Sequence, residues 1–303
     1  VSTEAEYTFK QPAQNLFLYA KFYTEEEEQR EWDINHGALP TLDLDNNRVF
    51  YGLYPQVHVK NQTLINELNS LDESYIDPRN GWYYYNDKYY TQCVATPIDD
   101  DDRVVFYDGV WIREGVTYWF ECTKIEWSIL QTNENEYSLI ATKLLDTHIY
   151  RNTDDYKNDG LWANSDLRHW LNGEFYNQAF GLGDSAIQIT EVDNSAKTMD
   201  SPDNPMAGPN TFDKLYAPSY KDITSPEIIP DSMIYADVTD YAKANYADYI
   251  WVNEEYAGHY WTRTPTNDWE KLIYIIYHDW GYTDDFMDKT YICVRPCMTI
   301  KVA

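Results

Sequence analysis

From Val49 onward the apolar residues fall in short strand-like runs separated by turn signals. Tyr51-Gly52-Leu53-Tyr54-Pro55-Gln56, Tyr118-Trp119-Phe120, Lys124 to Leu130 and Tyr137 to Thr142 form a plausible antiparallel meander. Gly81 to Tyr90 predicts a hairpin with Asn86-Asp87 as a two-residue turn. Lys214-Leu215-Tyr216, Tyr260 to Arg263, Leu272 to Tyr277 and Tyr291 to Val302 supply further short strands. Helical spacing recurs in two places. Leu64, Ile65, Leu68 and Leu71 share one face, and Leu167, Trp170 and Leu171 follow a cap at Asn164 or Ser165, with Gly173 as the expected stop. The Pro-rich stretch from Asp193 to Pro209 reads as a surface loop. The pattern predicts a loop-rich α+β fold, mostly antiparallel β with a few short helices.

Composition narrows the function classes. The 303 residues include 51 acidic and 23 basic side chains, a net charge of −28, and 17% are aromatic, 29 of them Tyr. That charge repels nucleic acid and anionic lipid. The aromatic content argues against disorder. An acidic, Tyr- and Trp-faced protein outside a cytoplasm is expected. No apolar run reaches the ~18 residues of a bilayer span, so direct membrane insertion is not expected. The chain opens in mid-pattern at Val1, as a mature or excised fragment would. Cys93, Cys122, Cys293 and Cys297 admit two disulfides or buried free thiols. Cys293 and Cys297, four apart in an apparent strand, stand roughly 13 Å apart and do not bond to each other.

Motifs for common chemistries are missing. There is no HExxH, G-x-S-x-G or P-loop, and Gly181 to Ala186 fits a dinucleotide fingerprint by letter only. The six His residues share no metal-binding spacing. With 51 acids, close carboxylate pairs arise by chance and do not indicate a glycosidase. Asp99-Asp100-Asp101-Asp102 reads as a solvated loop, and Lys157 interrupts the calcium-loop-like Asp155 to Gly160. No resident cofactor is expected, with calcium the one metal the acidic loops would admit.

Residues 1–23 contain Tyr7-Thr8-Phe9-Lys10-Gln11-Pro12-Ala13 and Asn15 to Phe22, two strand-like runs about a Pro turn. This wording resembles the closing strands of an internalin-type B repeat, a module strung along bacterial surface proteins. Residues 24–47 read as an acidic linker, with the charge run Glu25 to Glu31 a solvated linker or helix end, and 48–303 as the main domain.

A second resemblance covers roughly Val49 to Val302. Its pieces are Tyr51 to Gln56, Ile125 to Leu130, Leu144-Leu145-Asp146, the block from Trp162 to Asn172, Asp213-Lys214-Leu215, Tyr260 to Pro265 and Val294-Arg295-Pro296. Their order and content resemble the bacterial domain of unknown function 6273. That family is similar, more distantly, to C-type-lectin-like and formylglycine-generating-enzyme-like folds, which implies a C-type-lectin-like core and carries no chemistry with it. The lectin calcium triplets do not occur here, and Cys293 and Cys297 are too closely spaced for the oxidase relatives' cysteine pair.

Within the resemblance, Trp162, Ser165, Leu167, Trp170, Leu171 and Trp261 are expected to be architectural. Arg168, Arg263 and Arg295 are expected to hold carboxylates or carbonyls, with Arg263 the candidate clamp for an anionic ligand. The candidate binding surface is the late aromatic segment: Tyr256, His259, Tyr260, Arg263, Asn267, Asp268, Trp269, Trp280 and Tyr282, interleaved with Asp284 and Asp285. The expected function is a non-catalytic adhesion or binding module at a bacterial cell surface, recognising a glycan or protein. The alternatives are a subunit of an extracellular layer or filament, contacting copies of itself, and an oxidase- or hydrolase-type enzyme.

Overall fold

A computed structural model describes residues 24–98, 104–152, 160–252, 255–267, 271–277 and 281–302. The B-repeat-like opening, the Asp99–Asp102 run and Asp155 to Asp159 lie outside them.

The Thr117–Asn133 strand organises the largest sheet. Its burial changes phase along its length: Phe120 and Cys122 are buried, then Ile125, Trp127 and Ile129. A period-two strand can do this only by bending. The partner strand, Arg48–His58, supplies the bend through an irregularity between Phe50 and Leu53. Gly52 sits there at φ +75°, and its N–H donates to Gly37 O at 2.9 Å. Trp127, fully buried, donates Nε1–H to the Tyr51 carbonyl at 2.9 Å. A second register shift, between Pro55 and Val57, lies where Pro55 enters the strand.

This eight-stranded sheet runs Thr41–Asp43, Arg48–His58, Thr117–Asn133, Glu136–Ala141, Cys297–Lys301, Leu215–Tyr216, and every pairing is antiparallel. The expected hairpin, Tyr83–Tyr85 with Lys88–Val94, joins the first half of Thr117–Asn133. Asn86 and Asp87 both have positive φ, as a type I′ turn requires.

A five-stranded sheet runs Gly281–Phe286, Leu272–Tyr277, Tyr260–Pro265, Cys293–Val294, Asp146–Thr147. Two connections stitch it to the larger sheet. One passes from Glu136–Ala141 through Lys143–Leu144 to Asp146–Thr147. The other is Arg295-Pro296, between Cys293–Val294 and Cys297–Lys301. The two cysteines therefore stand in different sheets rather than in one strand, because the Arg-Pro step breaks the ladder. All four cysteines are free, and three are buried. Ile273, Ile275, Trp261 and Val294 from the smaller sheet meet Trp127, Ile129 and Leu139 from the larger in one core.

Two sequence expectations need correction. The acidic span 24–47 is no linker. Thr24 and Glu27 form a capping box for the helix Glu25–Asn35, whose first-turn glutamates suit the positive end of the helix dipole. Its end is anchored by buried His36 and Ala38, and Thr41–Asp43 pairs with the main sheet. Nor does Gly173 stop its helix. Asp166–Trp170 runs on through a π-helical turn, Leu171–Phe175, into Tyr176–Phe180. The helix Gln62–Leu68, capped by Asn61, matches its predicted spacing. No described helix is long and apolar enough to cross a membrane.

Candidate functional site

The block from Trp162 to Asn172 is a latch. Ser165 caps the helix by accepting from Arg168 N–H at 3.1 Å and donates to Trp162 O at 3.0 Å. Trp162 Nε1 and Arg168 Nε both donate to the carboxylate of Asp213, at 3.0 and 2.7 Å. Asn172 accepts from the N–H groups of Lys214 and Leu215 and donates to Leu215 O. Leu167 and Leu171 are fully buried, while Trp170 is half-buried and stacks on His148 at 4.8 Å. These residues hold the Asp213-Lys214-Leu215 segment, which is architecture.

Arg295 is the second pin. Only 2% exposed, it donates to the carbonyls of Ala141, Met233 and Ile234 and lies over the Tyr260 ring. Trp261 is buried, with Nε1 donating to His148 O at 2.7 Å.

The late aromatic segment divides. Tyr260 is fully buried, its hydroxyl donating to Ile234 O at 2.6 Å. His259 is buried, stacked on Tyr277 at 4.1 Å and beside Asp248 at 3.4 Å. Both therefore belong to the interior of the strand pairing and leave the candidate surface. Asn267 is exposed. Asp268, Trp269 and Trp280, and the side chain of Tyr256, lie outside what is described.

Tyr282 stays on the surface, 49% exposed. Its register explains its setting. Leu272–Tyr277 pairs with Gly281–Phe286 so that Ile276 faces Tyr282, Tyr274 faces Asp284, and Leu272 faces Phe286. Alternate residues share a face, so Ile273 and Ile275 enter the main core; on the other face Ile276 packs into a second apolar cluster, while Tyr274, Tyr282, Asp284 and Phe286 lie toward the surface. The helix Tyr220–Ile223, capped by Ser219, adds a third ring. Tyr220 lies 4.6 Å from Tyr274 and 4.8 Å from Tyr282, centroid to centroid, and Tyr274 and Tyr282 are 6.2 Å apart. Tyr274 donates to Asp200 at 3.0 Å. Partial burial pushes the Tyr220 and Tyr274 hydroxyls up, so both stay protonated and can donate. The result is a tilted aromatic face bordered by Asp200 and Asp284. Sequence reasoning missed Tyr274 and Tyr220. The alternation of Leu272 to Tyr277 marks Tyr274 as outward, but no local signal brings Tyr220 to it.

Arg263 lines a cleft of about 390 Å³, to which Asp222, on the same short helix as Tyr220, also contributes. Arg263 is 7% exposed, and its Nη1 donates to Asp222 Oδ2 and Ala217 O, both at 2.9 Å. Nη2 donates to Asp193 O at 3.3 Å. The guanidinium is thus mostly committed to protein acceptors, as expected of a structural arginine, and its charge is balanced by Asp222. Tyr216 lies beneath it at 5.7 Å. Glu191, Asp193 and Glu227 also line the cleft, which makes it a poor clamp for an anion. Cys297 lines it too, but burial pushes that thiol up to about 12, and the Cys293 thiol is raised further from reactivity by the same cause. Among the described residues no group of three or more His, Cys, Asp or Glu is placed to hold a metal ion.

No curated protein and no solved structure matches the chain. Residues 135–302 match the family described as "Domain of unknown function (DUF6273)". The matched span contains the Trp162 latch, the Arg295 pin, the tyrosine face and much of the Arg263 cleft. It covers more than half of the sequence, so the chain belongs to the DUF6273 family.

Proposed function

We propose that the protein is a non-catalytic binding module that recognises a glycan through the face formed by Tyr220, Tyr274 and Tyr282, displayed at a bacterial cell surface. One observation carries the reading: three aromatic rings from two separated segments converge on the outer side of a sheet, beside carboxylates. Aromatic rings pack against the apolar faces of sugars while phenol and carboxylate oxygens take the hydroxyl hydrogen bonds. The net charge of −28 disfavours polyanionic partners and leaves neutral glycans open. The B-repeat-like wording of residues 1–23 supports surface display. A C-type-lectin-like core would suit the same role, although the lectin calcium triplets are missing.

The test is a glycan array probed with the purified chain, with and without calcium, beside Tyr282→Ala and Tyr274→Ala. Each substitution should weaken a bound glycan by about 5- to 30-fold, the range of a ring in a binding hot spot.

One observation favours a second reading, a subunit of an extracellular layer. Gly281–Phe286 is the outer strand of its sheet, and such edges pair with other chains. Calcium-dependent self-assembly without glycan binding would select it.

A further inference from the structure

A recess of about 270 Å³ opens on the main sheet, on the side of Thr117–Asn133 that faces away from Trp127 and Ile129. Glu126 and Ser128 line it, and Arg295 enters it from the joint between the two sheets. None of its lining belongs to the tyrosine face or to the Arg263 cleft. We infer that it binds a small monocarboxylate on a hydroxylated frame, the chemistry of a sugar acid.

An unbalanced charge carries the inference. Arg295 is 2% exposed, yet all of its hydrogen bonds run from Nε and Nη1 to neutral oxygens: the Ala141, Met233 and Ile234 carbonyls and the Tyr260 hydroxyl. Among the described residues it forms no ion pair, and its Nη2 amino group is left uncommitted. Buried cations are ordinarily paired, because an uncompensated charge in a low-dielectric setting is strongly destabilising. The other charges of the lining cancel. Arg48 pairs with Glu126 at 2.7 Å, and Lys143 stands in strand register with Asp237. One positive charge is left over, which matches a carboxylate and falls short of a phosphate dianion.

The rest of the lining selects the frame. Ser128 is 3% exposed, stands opposite Arg48 in the ladder, and its hydroxyl is engaged by no other protein group. Two almost fully buried side chains, Arg295 and Ser128, thus offer polar groups to one recess, where a polar ligand completes the network. The exposed Ser232 and Tyr235 add hydroxyls suited to a polyhydroxylated body, and Met233 and Ala236 supply apolar surface for its carbon side. The overall charge of −28 repels polyanions, but a lone carboxylate within the recess responds chiefly to the adjacent guanidinium.

Two sources carry this chemistry, a cyclic uronic acid or an open-chain aldonic acid. Calorimetric titration of the whole chain with glucuronate and with gluconate distinguishes them, using glucose and sorbitol as uncharged counterparts and inorganic phosphate as the competing anion. At least one acid should saturate, at least tenfold tighter than its uncharged counterpart and than phosphate. Arg295 also pins the fold, so the variants are Ser128→Ala and Lys143→Gln, each of which should weaken that acid at least threefold. Tyr282→Ala should leave it unchanged, which separates this site from the glycan face. Saturation by neither acid, equal binding of the uncharged counterparts, tighter binding of phosphate, no effect of either variant, or a loss with Tyr282→Ala would each overturn the inference.

Discussion

Arg168 and Asp213 form an ion pair across the helix–strand junction, Nε to Oδ1 at 2.7 Å, with the carboxylate only 1% exposed. Trp162 and Thr211 donate to the other carboxylate oxygen, so the charge is satisfied from three directions. Removing the cation leaves a buried anion with two neutral donors. Arg168→Ala should therefore destabilise the fold by ~3 kcal/mol, measured by urea unfolding. Trp162→Phe, which keeps the ring and loses one donor, should cost ~1–2 kcal/mol.

Gly52 is the hinge of the main sheet. At φ +75° a side chain is strained, and an added Cβ would lie 2.6 Å from Phe180 Cε1. Gly52→Ala should cost at least ~2 kcal/mol, with a lowered thermal midpoint. Gly109, also at positive φ but with open space around it, should tolerate Ala with a smaller loss of ~1 kcal/mol.

Acid should loosen the Asp77–Tyr89 contact beside the hairpin. Hydrogen bonding from Arg79 holds the Asp77 carboxyl down at about 2, with Tyr89 adding a donor. A depressed carboxyl contributes stability above its unfolded value of about 4, and that contribution is lost as pH falls from about 4 towards 2. Arg79 is about half exposed, so screening limits the effect to ~1 kcal/mol. Asp77→Asn should flatten the stability–pH curve in that window, read from chemical unfolding at successive pH values.

Thiol labelling tests the burial of the cysteines. Cys122, Cys293 and Cys297 are buried, while Cys93 is partly accessible with its thiol pushed up to about 11 by burial. A thiol reagent at pH 8 should modify Cys93 slowly and the other three only after denaturation, when all four react. Fewer than four reactive thiols under non-reducing denaturation would show a disulfide.

Much of the architecture was legible because it is local. The Asn86-Asp87 turn, the Asn61 cap and the Ser165 cap each rest on neighbouring residues. In the acidic span, charge alone leaves linker and helix end open, while Thr24 and Glu27 spell a capping box that fixes a helix start. Gly173 was misread because the helix widens there instead of closing with a left-handed residue. The candidate site was half legible. Tyr282 is exposed, as the aromatic run suggests, but Tyr260 and His259 are interior, and burial depends on strand pairing that composition does not encode. Tyr220 reaches Tyr274 across 54 residues, a contact no local pattern predicts.

The most direct test of the central claim is the glycan array probed with the unaltered chain beside Tyr282→Ala. The tyrosine face predicts that the unaltered chain marks a subset of glycans and that Tyr282→Ala loses that signal at least fivefold while keeping the unaltered chain's circular dichroism. No glycan bound by the unaltered chain, or equal binding by the variant, would contradict it.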